Sequence, residues 1–545
     1  MKRSLIAPTL GLVISLSVSA QAADFYVDPA AGAAANDGSA AKPWKTLEEV
    51  IAAGHFGKAV KAGDTVHLKT GYHGEALFNG GSYAPPISVL ADAGQSPKLR
   101  HVRFSNTSGW LLGGVAVSPS FGTTSGSITM VEIQTSSSKI TVENCDIFTV
   151  PDASAWGAPE WLAASSGISV RGADSVARNN KVKNVRFGIT ADASKVLIEG
   201  NSIVNFSADG LRGLGNDETF QYNLIKNSYL DDALDSNHDD GFQSWSVGAG
   251  GVGTGEVKNM TLRGNVFIGN EDPAQKLKGT MQGIGCFDGT FTGWVVENNV
   301  VITNHWHGIS LYGAKDSRVV NNTVIDTDAV KPGPPWIMVT AHKNGTPSQN
   351  VVVRNNLATD FDVKGTNVTE DHNVTLSGAL TTYFVSPTAP KWDLRLTKTS
   401  PAIDKGVKDL APALDADKIA RPQGAGFDLG AYEWHDPSVV PTGGTGGTGG
   451  GGSGGAGAGG TAGSASGGAA GSASGGAAGN AGSAGSSSGG NGASGGSASG
   501  GGAGKGSDGG GDDGGCGCRV PARPSHGGLA LFGAALALFA ARRRR

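Results

Sequence analysis

Two stretches of the chain, residues 205–245 and 299–312, hold most of the side chains that could perform acid–base chemistry. Such side chains transfer protons when they are suitably placed, and we predict catalytic roles for His238, Asp240, His307, Tyr312 and Lys278. We predict substrate-binding roles for Asp209, Arg212, Gln243, Trp245, Gln282, His305 and Trp306. Hard cations prefer oxygen ligands, which makes a candidate Ca²⁺ site of Asp231, Asp232, Asp235 and Asp239. Their spacing differs from that of an EF-hand loop, so the metal prediction depends on ligand type alone.

A repeat predicts how these distant side chains come together. An Asn between short apolar segments recurs at Asn144, Asn180, Asn201, Asn223, Asn265, Asn299, Asn322, Asn356 and Asn373. Asn201 follows Asn180 by 21 residues, and Asn223 follows Asn201 by 22. The segments between them alternate Val, Ile and Thr with polar residues, which predicts strands with one buried face. Such units predict a solenoid with coils ~4.8 Å apart, in which turn asparagines tolerate left-handed backbone and bond along the stack.

A second column of the repeat is a glycine followed by an apolar residue. The glycines are Gly167, Gly188, Gly210, Gly241, Gly283 and Gly308. We expect the residues after them to stack in the core: Ile168, Ile189, Leu211, Phe242, Ile284 and Ile309. Two columns in phase favour a solenoid over a β-sandwich of unrelated strands. Aligned on this column, the candidate site residues gather on one face, bordered by insertions that follow Asn144, Asn223 and Asn265.

Both columns resemble those of the right-handed parallel β-helix proteins of the pectate-lyase-like superfamily, over residues 24–434. The resemblance implies an all-β fold, a parallel β-helix solenoid with an N-terminal helical cap. Residues 24–75 resemble the capping region of extracellular members, with a short helix in PWKTLEEVIAA and Thr46 as its N-cap. Residues 400–434 resemble the closing segment that follows other β-helices.

The two ends of the chain differ from the repeat. Residues 1–22 have the basic start, apolar run and small-residue cleavage site of a signal peptide. We therefore expect the β-helix domain at 23–440, followed by a low-complexity flexible linker at 441–515. Residues 516–545 join a Cys motif, a short apolar run and terminal arginines, and resemble the myxobacterial C-terminal sorting tail. The resemblance implies export to the cell surface or outer membrane, or secretion after processing, with sorting machinery as a partner at the Cys motif.

Charge and cysteine content narrow the function further. The formal net charge is −4, and removal of both terminal segments takes away eight basic residues and no acidic ones, leaving −12. An acidic chain is a poor match for nucleic acid. Cys145 and Cys286 fall on distant coils, so we expect two unpaired, buried thiols. We expect a monomer whose partner is an acidic polysaccharide, which local cationic groups or a divalent cation would have to bind.

Three functions remain open. A polysaccharide lyase or C5-epimerase acting on uronate polymers of pectate or alginate type fits the mixture of basic, acidic and aromatic side chains. A glycoside hydrolase is the alternative, because ADG, HDDG and HWHGIS faintly resemble polygalacturonase motifs. Here, however, Ser207 and Ala208 stand where that family has Asn-Thr, and WHG lies two coils after DDG instead of one. A non-catalytic carbohydrate-binding or adhesion protein is the third hypothesis.

Overall fold

The computed structural model describes residues 22–122, 126–231, 233–235, 239–328, 330–436 and 438. The predicted linker and sorting segment lie outside these residues, as does the predicted signal peptide apart from Ala22. Asp232 and His238, which we assigned to the metal and catalytic sets, also lie outside them. The described chain winds as a right-handed parallel β-helix, which confirms the predicted fold class.

Three long parallel sheets form the sides of the solenoid in the described ranges. The first has 13 strands: Asp24–Val27, Thr65–Leu68, Ser82–Ala91, Ser108–Gly113, Ser138–Glu143, Val176–Arg178, Leu197–Glu199, Thr219–Gln221, Thr261–Arg263, Val295–Glu297, Arg318–Val320, Val352–Arg354 and Thr369–Asp371. The second has 11: Glu75–Asn79, His101–Ser105, Thr129–Ile133, Ser166–Val170, Ile189–Ala191, Leu211–Gly213, Asp240–Trp245, Gln282–Asp288, His307–Tyr312, Trp336–Thr340 and Asp360–Val363. The third has 12: Gly71–Tyr72, Pro97–Leu99, Ala116–Val117, Asp146–Phe148, Lys181–Val185, Ser202–Phe206, Leu224–Ser228, Val266–Ile268, Val300–Thr303, Thr323–Asp326, Leu357–Ala358 and Val374–Thr375.

Shorter elements border these sheets. A three-stranded sheet joins Val257–Lys258, Phe291–Thr292 and Ala314–Lys315. Two antiparallel pairs join Val247–Gly248 with Gly251–Val252, and Phe384–Ser386 with Asp393–Leu396. The helices are α-helical at Leu47–Ala52 and Ala158–Leu162, and 3₁₀ at Pro119–Phe121 and Leu380–Thr382. None of the helices in the described part of the chain is long and apolar enough to cross a membrane.

The asparagine column forms the expected ladder of side-chain amides. Asn180 Nδ2 donates to Asn201 Oδ1 at 3.0 Å, and equivalent bonds of 2.9–3.0 Å continue down the stack through Asn223, Asn265, Asn299, Asn322, Asn356 and Asn373. The prediction for Asn144 is wrong by one residue. Cys145 takes the position equivalent to Asn180, and its backbone N–H donates to Asn180 Oδ1. Asn144 has a φ of 54°, so it takes the left-handed position that precedes the ladder.

The apolar column behind the glycines also stacks as expected. Ile168, Ile189, Leu211, Phe242, Ile284 and Ile309 lie directly opposite one another on successive strands of the second sheet. Each of these side chains is at most 2 % exposed. Because side chains alternate along a strand, the residue directly after each member of this column points away from the core. The glycine before each member faces the core instead, where an added Cβ would meet buried side chains of the third sheet such as Val182 and Phe267. Arg212, Gln243 and Ser310 therefore lie on the outer face of the sheet.

The N-terminal helix and the closing segment are stabilised in different ways. The first helix begins after Thr46, whose Oγ1 accepts from the Glu49 backbone N–H at 3.2 Å and confirms the predicted N-cap. The closing segment packs along the outer side of the third sheet, where it buries a second apolar cluster that includes Ile302, Phe384 and Leu396. Lateral packing of this kind covers apolar side chains that would otherwise face water.

Candidate functional site

Four neighbouring strands of the second sheet carry the candidate site: Leu211–Gly213, Asp240–Trp245, Gln282–Asp288 and His307–Tyr312. Arg212, Gln243, Gly285 and Ser310 lie side by side across them, in one row on the outer face. The regular register follows from the glycine and apolar columns, since a slip of one residue would turn the core column outwards. The repeat thus brings the two chemical stretches of the sequence together.

Aspartates gather on the first two of these strands and the turns before them. We call Asp209, Asp239, Asp240, Arg212, Gln243 and Gln282 the carboxylate cluster. Asp209 forms an ion pair with Arg212 Nε, and its Oδ1 accepts from the backbone N–H of Asp240 at 3.0 Å. Gln243 Nε2 donates to Asp240 Oδ2 at 2.9 Å. Asp209 thus links Arg212 to the backbone of Asp240, and the Asp240 carboxyl group bonds to Gln243.

Burial sets the electrostatics of this cluster. Asp209, Asp239 and Asp240 are 1 %, 4 % and 0 % exposed. Burial, together with the neighbouring carboxylates of Asp209 and Asp239, raises the pKa of Asp240 well above its ordinary value, against the opposing effects of Arg212 and Gln243. Both effects favour the protonated, neutral form of Asp240 over the carboxylate.

Arg212 is the more accessible member of the ion pair. Its side chain is 15 % exposed, against 0 % for the side chain of Asp209. The guanidinium carbon lies 4.2 Å from the ring centroid of Phe187 and 5.2 Å from that of Trp245. Two aromatic faces and one carboxylate therefore fix the orientation of this cation.

A second group lies on the last two of the four strands, just before the last of them, and on the strand that follows. We call His305, His307, Ser310, Tyr312, Trp336 and Phe287 the histidine cluster. The Phe287 ring centroid lies 4.7 Å from that of His307 and 5.3 Å from that of Tyr312. Except for Ser310 and Phe287, the members of this cluster are half-buried rather than buried.

Hydrogen bonds orient the His307 ring. His307 Nδ1 lies 2.9 Å from Ser310 Oγ, and the indole Nε1 of Trp336 lies 3.3 Å from both of these atoms. If the indole N–H donates to Ser310 Oγ, the imidazole can donate to the same oxygen from Nδ1. That tautomer makes Nε2 the basic nitrogen of the ring.

Tryptophans flank the histidine cluster. Trp306 is 39 % exposed, and its ring stacks on that of Trp336 with 6.4 Å between centroids and 16° between planes. Accessible indole faces of this kind can pack against the apolar faces of sugar rings. Trp161, by contrast, is only 2 % exposed and packs on Tyr229.

The two clusters meet over Gly285. A Cβ added to this glycine would lie 2.0 Å from Asp240 Oδ1, 2.9 Å from the Phe287 ring and 3.0 Å from Gln282 Oε1. The carboxyl group of Asp240 thus occupies the space above the glycine, where any other residue type would place its side chain. The absence of a side chain here is what allows a buried carboxyl to lie on the outer face of the sheet.

Several predicted site residues lie away from both clusters. Lys278 is exposed, and its Nζ donates to the Pro273 carbonyl at 2.5 Å. Asp235 forms an ion pair with Arg186 at 3.0 Å, and Asp231 Oδ1 accepts from the backbone N–H of Ala233 at 3.1 Å. Asp235 therefore ties its loop to an earlier coil, and Asp231 stabilises the turn that follows it. No group of three or more potential metal ligands is found among the described residues, so the Ca²⁺ site stays a prediction.

The sequence analysis missed parts of the histidine cluster. Lys343, which was given no role at the site, pairs with Asp288 at 2.9 Å and lies 6.0 Å from the Phe287 ring centroid. His342, likewise given no role, is 7 % exposed. Trp336 follows a Pro-rich insertion that interrupts the repeat, which hid its position opposite His307. Ser310 and Phe287 were visible in the aligned columns but were given no role.

Comparisons with known proteins report the same fold. A protein-family profile described as "Right handed beta helix region" matches residues 166–333. Pectate lyase Pel9A is similar in structure, with 15% identity and a TM-score of 0.39 over 76% of this chain and 96% of that one. The A-module of mannuronan C-5 epimerase AlgE4 from Azotobacter vinelandii has 15% identity and a TM-score of 0.34 over 61% and 94%. PfbA, a surface adhesin of Streptococcus pneumoniae, has 10% identity and a TM-score of 0.32 over 58% and 80%. No curated protein matches the chain in sequence.

Proposed function

We propose that this protein is an exported, surface-associated enzyme that acts on an acidic polysaccharide as a lyase or C5-epimerase. The observation that carries the proposal is the contrast in accessibility between the two clusters. The carboxylates of Asp209, Asp239 and Asp240 are buried, whereas His305, His307 and Tyr312 are half-buried and Arg212 is partly exposed. A group that transfers a proton must reach the substrate, which favours histidine and tyrosine over the carboxylate pair that glycoside hydrolysis needs.

In this proposal the reacting uronate lies over Phe287, between His307 and Tyr312. One of the two side chains removes the proton at C5, and Nε2 of His307 is basic when Nδ1 donates to Ser310. For a lyase, the electron pair then forms the C4–C5 double bond, the C4–O4 bond breaks, and an acid protonates the departing oxygen. For an epimerase, C5 is protonated again from the opposite face and no bond of the polymer breaks.

Positive charge must offset the negative charge that develops on the uronate carboxylate. Lys343 places a cation beside Phe287, although Asp288 already pairs with it at 2.9 Å. Arg212 lies three strands from His307, roughly 14 Å at the spacing of hydrogen-bonded strands. It would therefore bind a carboxylate of another sugar in the same chain. A divalent cation remains a further candidate for this role.

Turnover of the full-length chain on pectate, alginate and other uronate polymers tests the proposal. The assay follows ultraviolet absorbance of unsaturated ends, reducing ends and sugar configuration by NMR, with Ca²⁺ and with chelator. A rise in absorbance, or inversion at C5 without cleavage, that is lost in His307→Ala is the expected result. Reducing ends without absorbance would indicate a hydrolase. Polymer binding without any conversion would indicate the non-catalytic binding or adhesion protein.

A further inference from the structure

Two adjoining grooves lie on the outer face of the second sheet, on the N-terminal side of the carboxylate cluster. One has a volume of about 450 Å³ and is lined by residues that include Asn79, Arg103 and Gln134. The other has a volume of about 340 Å³ and is lined by residues that include Gln134, Ser169 and Arg171. Gln134 lines both, so the two grooves form one continuous polar depression that runs across the strands.

Arginines recur along this face at a regular interval. Arg103, Glu132, Ser169, Thr190 and Arg212 lie opposite one another on five successive strands. Arg171 directly follows the middle strand of these five, Ser166–Val170. Guanidinium groups therefore occur at every second coil, which is roughly 10 Å at the spacing of hydrogen-bonded strands. This interval is of the order of a disaccharide repeat. We call Arg103, Arg171 and Arg212 the arginine row.

Two of the three charges of the row, those of Arg103 and Arg171, are available to a ligand, whereas Arg212 is paired with Asp209. Neither Arg103 nor Arg171 forms an ion pair within the described part of the chain, and Arg171 is exposed. Glu132 also lines the smaller groove, where its carboxylate is hydrogen-bonded to His101 at 3.1 Å. Glu75, on the first strand of this sheet, pairs with Arg100 at 2.5 Å. The His101 hydrogen bond is the main cause of the lowered pKa of Glu132, and the positive charge of Arg103 contributes less.

We propose that the arginine row binds the carboxylates of a polyuronate chain that lies across the strands and leads into the histidine cluster. Guanidinium groups bind carboxylates in a planar, two-point geometry, which suits an anionic group repeated at intervals along a polymer. The proposal rests on the proposed function for its substrate class and extends it to a distal binding site. Single-stranded nucleic acid fits less well, because Phe78, the aromatic residue lining the larger groove, is only 2 % exposed and offers no stacking surface.

Binding measurements on the full-length chain test the arginine row. The double variant Arg103→Gln/Arg171→Gln removes two charges from the grooves. Lys181→Gln/Lys195→Gln is the matched control, because it removes two exposed charges outside the second sheet. The probes are a long polyuronate, a uronate trisaccharide, a neutral polysaccharide and single-stranded DNA, each titrated at two salt concentrations.

We expect the groove variant to weaken binding of the long polyuronate at least about tenfold and to reduce its salt dependence. The trisaccharide and the control variant should show little change. Unchanged affinity of the groove variant, or equal binding of the neutral polymer or DNA by the unmodified chain, would overturn the proposal. A chain that binds polyuronate through the row but converts none of it would retain this inference and refute the enzymatic one. If the groove variant converts the polymer at an unchanged rate and binds it with unchanged affinity, the enzymatic proposal would stand and the proposed binding role of the arginine row would be refuted.

Discussion

The carboxylate cluster and the histidine cluster occupy the same face of the same sheet and meet over Gly285, yet they differ in accessibility and in bonding. Asp240 and its neighbours are buried and bond to one another. His307 and Tyr312 are half-buried and packed around one phenylalanine ring. Equivalent positions of a repeat can therefore support structure on one coil and be open to chemistry on another.

The comparison also separates two uses of ionisable groups. In the carboxylate cluster, Asp209 fixes Arg212 and the carboxyl group of Asp240 fills the space above Gly285. The ion pair with Asp209 thus holds the guanidinium of Arg212, one member of the arginine row, in place. In the histidine cluster, the ring of His307 is oriented by Ser310 and Trp336 while part of its surface remains accessible. We therefore expect substitutions in the two clusters to have different effects.

The largest effect should come from His307→Ala. Loss of a general acid or base typically lowers the rate by about 10²–10⁴-fold, and we expect kcat to fall by that amount while polymer affinity changes little. Steady-state kinetics and equilibrium binding measure the two quantities separately. His372→Ala is the control, because that histidine is partly exposed on the turn after the last strand of the first sheet. Undiminished turnover in His307→Ala would remove the histidine cluster from the chemistry.

The contact between the clusters can be broken at Gly285. In Gly285→Ala the new methyl group would meet Asp240 Oδ1 at 2.0 Å, and overpacking of this kind costs typically ~1–3 kcal/mol of stability. Denaturant unfolding measures the loss. The double variant Gly285→Ala/Asp240→Ala removes the opposing carboxyl and should regain part of that stability. If it is no more stable than Gly285→Ala alone, the carboxyl of Asp240 does not fill the space above the glycine.

A smaller effect is expected from Ser310→Ala, which removes the partner of His307 Nδ1. One hydrogen bond contributes ~0.5–1.5 kcal/mol, so kcat should fall up to about tenfold. The ring should also lose its preferred tautomer, which would shift the pH profile of kcat and would be visible in ¹⁵N NMR of the imidazole. Ser310→Thr keeps the hydroxyl and should restore the profile. A fall in stability with an unchanged pH profile would assign Ser310 a purely structural role.

The sequence predicted the solenoid more completely than it predicted the candidate site. Gly241 and Phe242 belong to columns that repeat, so their neighbours in space could be inferred from position alone. Trp336 and Lys343 follow an irregular insertion, where no period indicates which coil they meet. The burial of individual side chains also could not be predicted from the sequence. Asp240 was predicted to be catalytic from its residue type, but its accessibility depends on side chains from neighbouring strands, such as Gln282 opposite it.

The smallest effect should come from Asp240→Asn. Because the pKa of Asp240 is raised in the folded protein, its contribution to stability is full below the ordinary pKa of aspartate and is lost as the pH rises through the folded value. Asparagine resembles the neutral acid and does not titrate. The variant should therefore gain stability relative to the unmodified protein as the pH rises, which denaturant unfolding at several pH values would measure.

The kcat of Asp240→Asn shows whether the carboxylate cluster or the histidine cluster performs the chemistry. If Asp240 only holds Gln243 and fills the space above Gly285, kcat should stay within about twofold, equivalent to ~0.4 kcal/mol. Asp362→Asn, on the last strand of the same sheet and partly exposed, controls for the loss of a carboxylate. A fall of about 10²-fold or more in Asp240→Asn alone, with the fold intact, would transfer the chemistry to the carboxylate cluster. Since a pair of carboxyl groups is what glycoside hydrolysis requires, that result would also favour the hydrolase over the lyase or epimerase.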